Sequence, residues 1–503
     1  MSIVHSGLIK SVHPIPSRPT AGAGSWGAQQ PHLGIYAKSA SASDPDLSQR
    51  LRELRADRFR FLATARELFI AEGHRHGLAY ADSFHRTAQC LHVRHSDTVG
   101  VYHSTEHNRA FYGGLVTCGS VWACPVCAAK IQERRRAEIA AAMDWAYSQH
   151  LQPMLITLTV PHRADQSLVE IRAMVTDALR RMRAGRAGIA MRDELGYRGL
   201  IRSLEITHGQ NGWHLHTHEL WLVRRDADAE AARALILERW RVACVRAGLL
   251  DPNNASQLVA FDAHSVDVRG NCSASDYLAK MDDSTNWGVD RELAKASSKA
   301  GKKSGRHPFG LLADAADGCD RSGRLFIEYA VGMKGARQLF WSRGLKKQVG
   351  ILDFTDEDLA EQEVSSADCL GELSSGEWTT VINARAKSAL LDAAEAGGWP
   401  AVEALIARLQ QADDEQRRKT AASGLAVWQD GQAVACPLGA CEPVPAPTAP
   451  ADVVTDHPCS PEPEPQADGL PVERVVLDGV PFWINVETGE YVPHVELSSA
   501  RSG

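Results

Sequence analysis

The sequence predicts an α+β fold in which helices flank an antiparallel sheet. Three segments carry the β pattern: residues 154–160 and 200–206 are apolar and β-branched, and residues 213–223 follow a glycine-bounded turn at 209–212. A short turn of this kind joins antiparallel neighbours, so the last two segments predict a hairpin. We expect the strand of residues 213–223 to lie at the centre of the sheet.

Helices and minor strands account for most of the remaining pattern. Apolar residues recur at helical spacing before, between and after the three strands. The predicted helices lie at residues 49–72, 130–150, 165–185, 227–248, 273–283 and 381–421, and the further strands at residues 258–268 and in a small hairpin at 475–486.

The chain has 503 residues, which is long for one domain, and its composition divides it. Ser, Pro, Gly and Ala dominate the first 48 residues, and residues 436–471 are Pro-rich, so neither stretch is expected to bury a core. The predicted parts are a disordered N-terminus (1–48), a helical Cys-rich zinc-binding segment (49–150), a central α+β domain (151–350), a helical region (351–430) and a Pro-rich acidic tail (431–503).

Charge is distributed unevenly along the chain. The formal net charge is −7, but residues 1–350 carry +12 and the remainder carries −19. A basic body suits a polyanionic partner such as nucleic acid, whereas the acidic tail does not. The sequence contains no apolar run of about 18 residues and no signal-peptide pattern, so we expect a cytoplasmic protein without a membrane partner.

Three alternating histidines, His214, His216 and His218, form the strongest local signal. Alternate residues of a strand point to the same face, so these imidazoles are expected to lie side by side. Glu205 lies on the preceding strand, and the hairpin can bring its carboxylate beside them. Two histidines and a carboxylate with open positions form a site for Mn²⁺ or Mg²⁺ acting as a Lewis acid on a phosphate. The alternative for Glu205 is a surface ion pair with Arg202.

Tyr277 and Lys280 lie three residues apart in a stretch predicted to be helical, so their side chains share one face. A phenol near a cation and a metal-bound phosphate can lose its proton and attack phosphorus. Tyr-x-x-Lys is also common in ordinary amphipathic helices, so its significance depends on the other motifs.

A cluster of cysteines predicts a structural zinc site. Its members are Cys118, Cys124 and Cys127. Eleven cysteines without a secretory signal favour metal ligation over a disulfide framework, and a Cys-Pro-x-Cys turn presents two thiolates to one Zn²⁺. The fourth ligand must come from elsewhere: Cys90 is preferred, with His103 and His107 as alternatives.

A basic helix follows the cysteine cluster directly. Its residues Arg134, Arg135 and Arg136 are expected to point toward DNA phosphates, because a fixed zinc turn would orient the start of the helix.

These motifs, in this order, resemble those of the rolling-circle plasmid replication initiators of the HUH endonuclease superfamily, in the branch with a Cys-rich segment before the nuclease. Residues 117–131 are similar to the family's cysteine segment, and residues 155–160 to its first motif. Residues 212–218 are similar to the His motif, and residues 277–280 to the third motif, which bears the nucleophile. The resemblance covers roughly residues 84–350.

The resemblance implies a metal-dependent, site-specific single-strand DNA endonuclease and strand transferase. Tyr277 would attack the scissile phosphate of the origin, keep a 5′-phosphotyrosine link and free a 3′-hydroxyl primer, while Lys280 supplies a cation near the phosphate. The implied partners are single-stranded or cruciform origin DNA and a host helicase and polymerase.

The third motif departs from the family pattern. In some relatives a second Tyr follows the Lys and serves as nucleophile, but here Met281 stands in that place, so Tyr277 is the only candidate in the motif. The carboxylate that would activate water for the terminating cleavage is also displaced. The remaining candidates for that role are Asp276, Asp282 and Asp283.

The His motif leaves the metal-binding pair open. The family's two histidines usually enclose a bulky apolar residue. His216 and His218 match by position but enclose Thr217, whereas His214 and His216 enclose Leu215.

Two other classes of protein share part of this pattern. An HUH relaxase or single-strand transposase would share the sheet and the His motif. A non-catalytic, zinc-dependent DNA-binding regulator would account for the cysteines and the basic front half, but it would leave the His strand and Tyr277 without a role.

Overall fold

The structure is a computed structural model. It describes residues 45–79, 84–104, 108–271, 305–361 and 367–422, and four short strand segments beyond residue 427. The predictions for residues 1–44, for a helix at 273–283 and for the Pro-rich stretch at 436–471 lie outside the described residues.

Helices and strands alternate along the chain. The helices are α1 (Pro45–Arg75), α2 (Pro125–Ser148), α3 (Leu168–Arg183), α4 (Gly185–Glu194), α5 (Ala229–Arg246), α6 (Ala255–His264), α7 (Pro308–Ala316), α8 (Asp320–Gly332), α9 (Leu345–Val349), α10 (Asp356–Glu361), α11 (Ser375–Asn383) and α12 (Lys387–Ala422). The strands are β1 (Val99–Ser104), β2 (Arg109–Gly113), β3 (Leu151–Thr159), β4 (Gly199–Gly209), β5 (Gly212–Arg224), β6 (Val266–Arg269), β7 (Leu339–Trp341), β8 (Ala367–Leu373), β9 (Trp428–Gln429), β10 (Gln432–Ala433), β11 (Val472–Leu477) and β12 (Val480–Asn485).

The predicted α+β fold is confirmed. Five antiparallel strands form the main sheet in the order β6-β3-β5-β4-β7, so β5, the histidine strand, lies at its centre. β4 and β5 form the predicted hairpin, which closes at the Gly209–Gly212 pair. Gly212 has φ +78°, and a Cβ at this position would come 3.0 Å from the Cα of Ala164, so only glycine fits there without strain.

The two faces of the main sheet pack against different helices. One face contributes Met154, Trp213 and Trp221 to a large core shared with α3, α5 and α8. The other face contributes Leu155 and Leu220, which pack against α2. Because side chains alternate along a strand, the three histidines of β5 lie on the α2 side of the sheet, beyond the end covered by that helix.

The strand predicted at residues 258–268 is wrong over most of its length. Residues up to His264 form α6, and only Val266–Arg269 pair with β3 as edge strand β6. Asn254 caps the helix by accepting a hydrogen bond from the Gln257 amide at 3.0 Å. This cap favours a helix over the strand that the apolar composition suggested.

Both N-terminal helices begin earlier than predicted. α1 begins at Pro45, inside the stretch expected to be disordered. α2 begins at Pro125 rather than near Lys130. Cys124 is its N-cap and accepts from the Cys127 amide, and proline suits the first helical position because its missing N–H is not needed there. The cysteine cluster is therefore part of the helix start.

A second sheet joins distant parts of the chain. β1 pairs with β2 and with β8, in the order β2-β1-β8, and α11 and α12 pack on it. The helices predicted at residues 381–421 are confirmed, with a break at Gly397 and Gly398. The predicted terminal hairpin is confirmed as the antiparallel pair β11 and β12.

Within the part of the chain that the structure describes, no helix combines the length and apolar content that crossing a membrane requires.

Candidate metal centres

Glu205, His216 and His218 meet on the α2-side face of the main sheet. Glu205 is the cross-strand partner of His216, so the hairpin register places its carboxylate between the two rings. Its Oε2 lies 2.7 Å from His216 Nε2 and 2.8 Å from His218 Nε2. The side chains are 3%, 14% and 12% exposed, respectively, so this polar group is largely withdrawn from solvent.

Glu205 is held as a carboxylate. Burial opposes its ionisation, but the hydrogen bonds from His216 and His218 and their charge outweigh burial and lower the pKa of Glu205 to about 2. A buried anion flanked by two imidazoles is an arrangement that a cation stabilises.

The donor atoms of this group fit a divalent ion. Two imidazole nitrogens and one carboxylate oxygen lie within 4.8 Å of one another. In addition, Nδ1 of His216 is buried and has no hydrogen-bond partner among the described residues. Nδ1 is on the far side of the imidazole from Nε2, so an ion held at Nε2 would not reach it, and ordered water would satisfy it. The three residues can therefore hold a metal ion.

Thr157 orients one of the two imidazoles. It is the β3 partner of His218, and its Oγ1 lies 3.1 Å from His218 Nδ1. When Nε2 carries the ring proton, Nδ1 accepts from the hydroxyl; when Nε2 instead faces a metal, Nδ1–H donates to the same hydroxyl. The contact therefore persists in both states. The alternating threonines of β3, Thr157 and Thr159, are the sequence signal for this role, which was not predicted.

Replacing Thr157 tests this positioning role. We expect Thr157→Val to weaken Mn²⁺ binding by about tenfold to 100-fold, because the isosteric valine cannot hydrogen-bond Nδ1. Isothermal titration with Mn²⁺ measures the change. Thr157→Ser keeps the hydroxyl and serves as the control; equal losses in both variants would contradict the role.

His214 lies next to His216, with ring centroids 5.0 Å apart, but it is not a member of the group formed with Glu205. Its ring stacks on His162, with centroids 4.7 Å apart and an interplanar angle of 19°. Burial and the neighbouring His216 and His162 lower the pKa of His214 to about 4. Of the histidines considered in the sequence, His216 and His218 are therefore the two whose rings lie beside Glu205.

The alternative partner for Glu205 is excluded by the strand register. Arg202 is an odd number of residues away on the same strand, so it lies on the opposite face of the sheet. Its guanidinium lies 4.8 Å from the centroid of the Phe340 ring.

The second candidate centre consists of four buried thiols. Cys90, Cys118, Cys124 and Cys127 place their Sγ atoms within 4.8 Å of one another. The measured Sγ–Sγ distances include 3.5 Å for Cys90 with Cys127, 3.7 Å for Cys118 with Cys127 and 3.7 Å for Cys124 with Cys90. These are too long for disulfide bonds. They match the roughly 3.8 Å edge of a tetrahedron whose centre lies about 2.3 Å from each sulfur, the Zn–S distance.

Backbone geometry prepares the thiols for a metal. The amides of Ser120 and Cys127 donate to the Sγ atoms of Cys118 and Cys124, each at 3.4 Å. Gly119, between the first pair, has φ +57°, a conformation that glycine adopts readily. Such N–H donors stabilise thiolates, so the two turns are suited to metal ligation.

The electrostatics of the cluster favour an added cation. Burial disfavours a thiolate at Cys118, but hydrogen bonds from the other thiols and from Thr87 outweigh it and lower the pKa of Cys118 well below its usual value. Burial and the charge at Cys118 raise the pKa of Cys124 well above the usual range. Further ionisation thus requires a compensating positive charge, which a metal ion would supply.

The alternatives for the fourth ligand fare differently. Cys90, although 28 residues before Cys118 in the sequence, ends a short 3-10 helix (Arg86–Gln89) and joins the cluster. His103 lies on β1 and its Nε2 is 3.1 Å from Asn108 Oδ1. His107 lies outside the described residues. Among the described cysteines, Cys244 and Cys369 are also free thiols, whereas Cys319 is disulfide-bonded.

The three arginines of α2 have different environments. Arg135 is buried: its guanidinium donates to Glu138 at 2.9 Å and to Asp356 at 3.0 Å. The prediction that Arg135 faces DNA is therefore wrong, because these carboxylates hold its charge inside the protein. Arg136 forms a 3.4 Å ion pair with Glu133, and Arg134 lines a groove beside the cysteine cluster.

Tyr277 and Lys280, the predicted nucleophile and its neighbouring cation, lie outside the described residues. So do Met281 and the candidate carboxylates Asp276, Asp282 and Asp283.

The fold and its two clusters define an α+β protein with two chemically different candidate metal centres. A protein named Protein rep, from Streptomyces lividans, is 29% identical to this chain over 300 residues, which cover 47% of this chain and 64% of that protein. A protein named Neomycin resistance protein, from Streptomyces cyanogenus, is 30% identical over 144 residues, or 22% of this chain and 31% of that protein. The chain thus spans less than two thirds of each relative. No family model and no solved structure matches it.

Proposed function

We propose that this chain is a rolling-circle replication initiator of the HUH type, which binds origin DNA and nicks one strand with a tyrosine nucleophile. The observation that carries the proposal is the group formed by Glu205, His216 and His218 on the central strand of an antiparallel sheet. The similarity to the protein named Protein rep, together with the order of the sequence motifs, supports replication initiation over a relaxase, a transposase or a non-catalytic regulator.

The ligand chemistry supports Mn²⁺ or Mg²⁺ at the Glu205 site. Nitrogen and carboxylate donors with open positions suit these ions, which would act there as Lewis acids on a DNA phosphate. Glu205, His216 and His218 would hold the ion, and Thr157 would keep the His218 ring in place. Burial of these side chains excludes bulk water from the ligand side of the site.

Tyr277 is the proposed nucleophile. Its Oη would bond to phosphorus as the bond to the 3′-oxygen breaks, which yields a 5′-phosphotyrosine and a free 3′-hydroxyl; Lys280 would offset the charge of the phosphate.

The thiol cluster is proposed to bind structural Zn²⁺. Four sulfur ligands close a tetrahedral site and leave no position for substrate, so this zinc would organise the start of α2 and not the reaction. Arg134 and Arg136 would then contact DNA phosphates.

Detection of a covalent adduct tests the proposal. We expect the protein with Mn²⁺ to cleave one of a set of labelled single strands tiled across the replicon that encodes it, and to retain the label through denaturing electrophoresis. Mass spectrometry of the adduct should locate the nucleotide on Tyr277, and Tyr277→Phe should remove the adduct while DNA affinity is kept, because only the phenol oxygen is lost.

Two results would contradict it. Binding without cleavage of any strand would favour a regulator, and an adduct retained by Tyr277→Phe would place the nucleophile elsewhere.

A further inference from the structure

A groove of about 890 Å³ lies between α1, β2 and the first half of α2. It contains none of the residues of the Glu205 site, so it is separate from the candidate catalytic centre. Its volume lies within the range of roughly 300–1,000 Å³ that ligand pockets occupy. Cys127 forms part of its wall, so the shape of the groove depends on the cysteine cluster.

Cationic side chains dominate the charged lining of this groove. Arg55, Arg58, Lys130 and Arg134 line it, with Glu133 as the acidic member. Arg55 is engaged by two carboxylates from α12, those of Asp392 and Glu395. Arg58 of α1 and Lys130 and Arg134 of α2 add further positive charge to the lining, and Lys130 Nζ donates to the carbonyl oxygen of Ala360. Lys130 and Arg134 are four residues apart on one face of α2.

Half-buried aromatic rings lie beside these cations. Phe111 lines the groove and stacks on its cross-strand partner Tyr102, with centroids 5.5 Å apart and an interplanar angle of 16°. Two glycines make room for this pair. A Cβ at Gly100 or Gly113 would come within 2.5 Å of Tyr102 Cε2, so the tyrosine ring lies flat over both glycines. The two nearly parallel rings thus form a preorganised surface at the edge of the groove.

We infer that this groove is a second DNA-contact site, which binds a single strand through its phosphates and stacks an unpaired base on Phe111. Basic residues that follow a phosphate backbone, combined with aromatic faces for bases, are the features by which proteins bind single strands without reading sequence. A duplex would not expose its base faces to Phe111. The inference rests on the proposed function for the identity of the polyanion, whereas the lining itself selects a negatively charged, partly aromatic ligand.

α2 connects the groove to the main sheet. Lys130 and Arg134 lie in its first half, and Ile139 and Met143 in its second half pack against Leu220 of β5. Because a helix rises about 1.5 Å per residue, the groove and the sheet contact lie roughly 14 Å apart along one rigid element. A strand held in the groove would therefore be kept at a constant distance from the histidine strand.

Anisotropy of a fluorescein-labelled oligothymidine tests the inference, with full-chain protein at several salt concentrations and no added Mn²⁺ or Mg²⁺. The triple variant Arg58→Gln/Lys130→Gln/Arg134→Gln should bind at least tenfold more weakly, and its slope of log K against log salt should fall by about 2, since each lost phosphate contact removes about 0.7. Phe111→Ala should weaken binding by about fivefold to 100-fold without changing the slope, and Phe111→Trp should restore it.

A matched control removes equal charge elsewhere. Arg186, Arg225 and Arg246 are exposed outside the groove, and their triple Gln variant should keep the wild-type salt slope. Zinc content and melting temperature verify that each variant is folded. An unchanged slope in the groove variant, or an equal loss in the control, would overturn the inference; so would binding of an acidic protein but not of oligothymidine.

Cleavage measured on the same proteins separates this inference from the proposed function. If the groove variants bind oligothymidine normally and the wild type nicks DNA, the groove inference is refuted and the proposed nuclease function stands. If binding depends on the groove but the wild type does not nick DNA, the proposed nuclease function is refuted and the groove inference stands.

Discussion

His216→Ala and His218→Ala are each expected to abolish Mn²⁺-dependent strand cleavage, whereas His214→Ala retains most of it. The reason is geometric: Glu205 Oε2 lies 2.7 and 2.8 Å from the first two rings, while His214 stacks on His162. Removing either histidine from the three proposed ligands leaves one imidazole and the buried Glu205 carboxylate, which are too few to hold a divalent ion tightly. We expect cleavage rates to fall by at least 100-fold, measured in single turnover with a labelled strand.

The His214 variant serves as the matched control, because it removes an imidazole from the same face of the same strand. Its Mn²⁺ affinity, measured by isothermal titration, should stay within about threefold of wild type. Loss of affinity only in His214→Ala would move the metal to the other histidine pair. If His216→Ala or His218→Ala lost Mn²⁺ affinity but still cleaved DNA normally, the metal ion would not be required for cleavage.

Cys124→Ser is expected to lose bound zinc and much of the stability of the N-terminal part of the fold. Cys124 would contribute a sulfur ligand, and it caps α2 by accepting from the Cys127 amide. Since structural zinc sites supply several kcal/mol or more of folding free energy, we expect the melting temperature to fall by about 10 °C or more. Elemental analysis and thermal denaturation, with and without a chelator, measure the two effects.

Cys244→Ser provides the control for a buried cysteine outside the cluster. Cys244 is a buried free thiol of α5, so its replacement should leave the zinc content unchanged and cost only a local packing penalty. Purified wild-type protein without zinc, or a Cys124→Ser variant that melts like Cys244→Ser, would refute a structural zinc. Cleavage should be affected only through folding, because sulfur ligands disfavour Mn²⁺ and Mg²⁺.

Local sequence patterns were sufficient to predict the structure where a single periodicity or a single turn determines it. The alternation of His214, His216 and His218 predicted a strand with three imidazoles on one face, and the glycines at 209 and 212 predicted the hairpin that brings Glu205 to them. The close spacing of Cys124 and Cys127 predicted a turn with two thiols. These features depend on neighbouring residues, so the sequence contains their geometry.

Local sequence patterns failed to predict the structure where competing local signals or contacts with distant residues determine it. The apolar run at 258–268 reads as a strand, but the Asn254 cap and packing made most of it helix α6. Strand β8 was not predicted, because it is stabilised by pairing with β1, more than 250 residues earlier in the chain. Arg135 cannot be distinguished from its neighbours in the basic run by sequence, yet it is buried and donates to Glu138 and Asp356.

The sequence by itself determined which chemistry this protein carries: a histidine strand with a carboxylate, a group of cysteines, and a basic front half. Only the tertiary structure decided which of those residues meet. It brought Cys90 to the three cysteines around the start of α2, and it set His216 and His218 rather than His214 beside Glu205. It also placed Thr157 of another strand against His218, and it buried Arg135 while Arg134 lines a groove. The physical reason is that ligand geometry and burial depend on cross-strand register and helix packing, which join residues far apart in the chain.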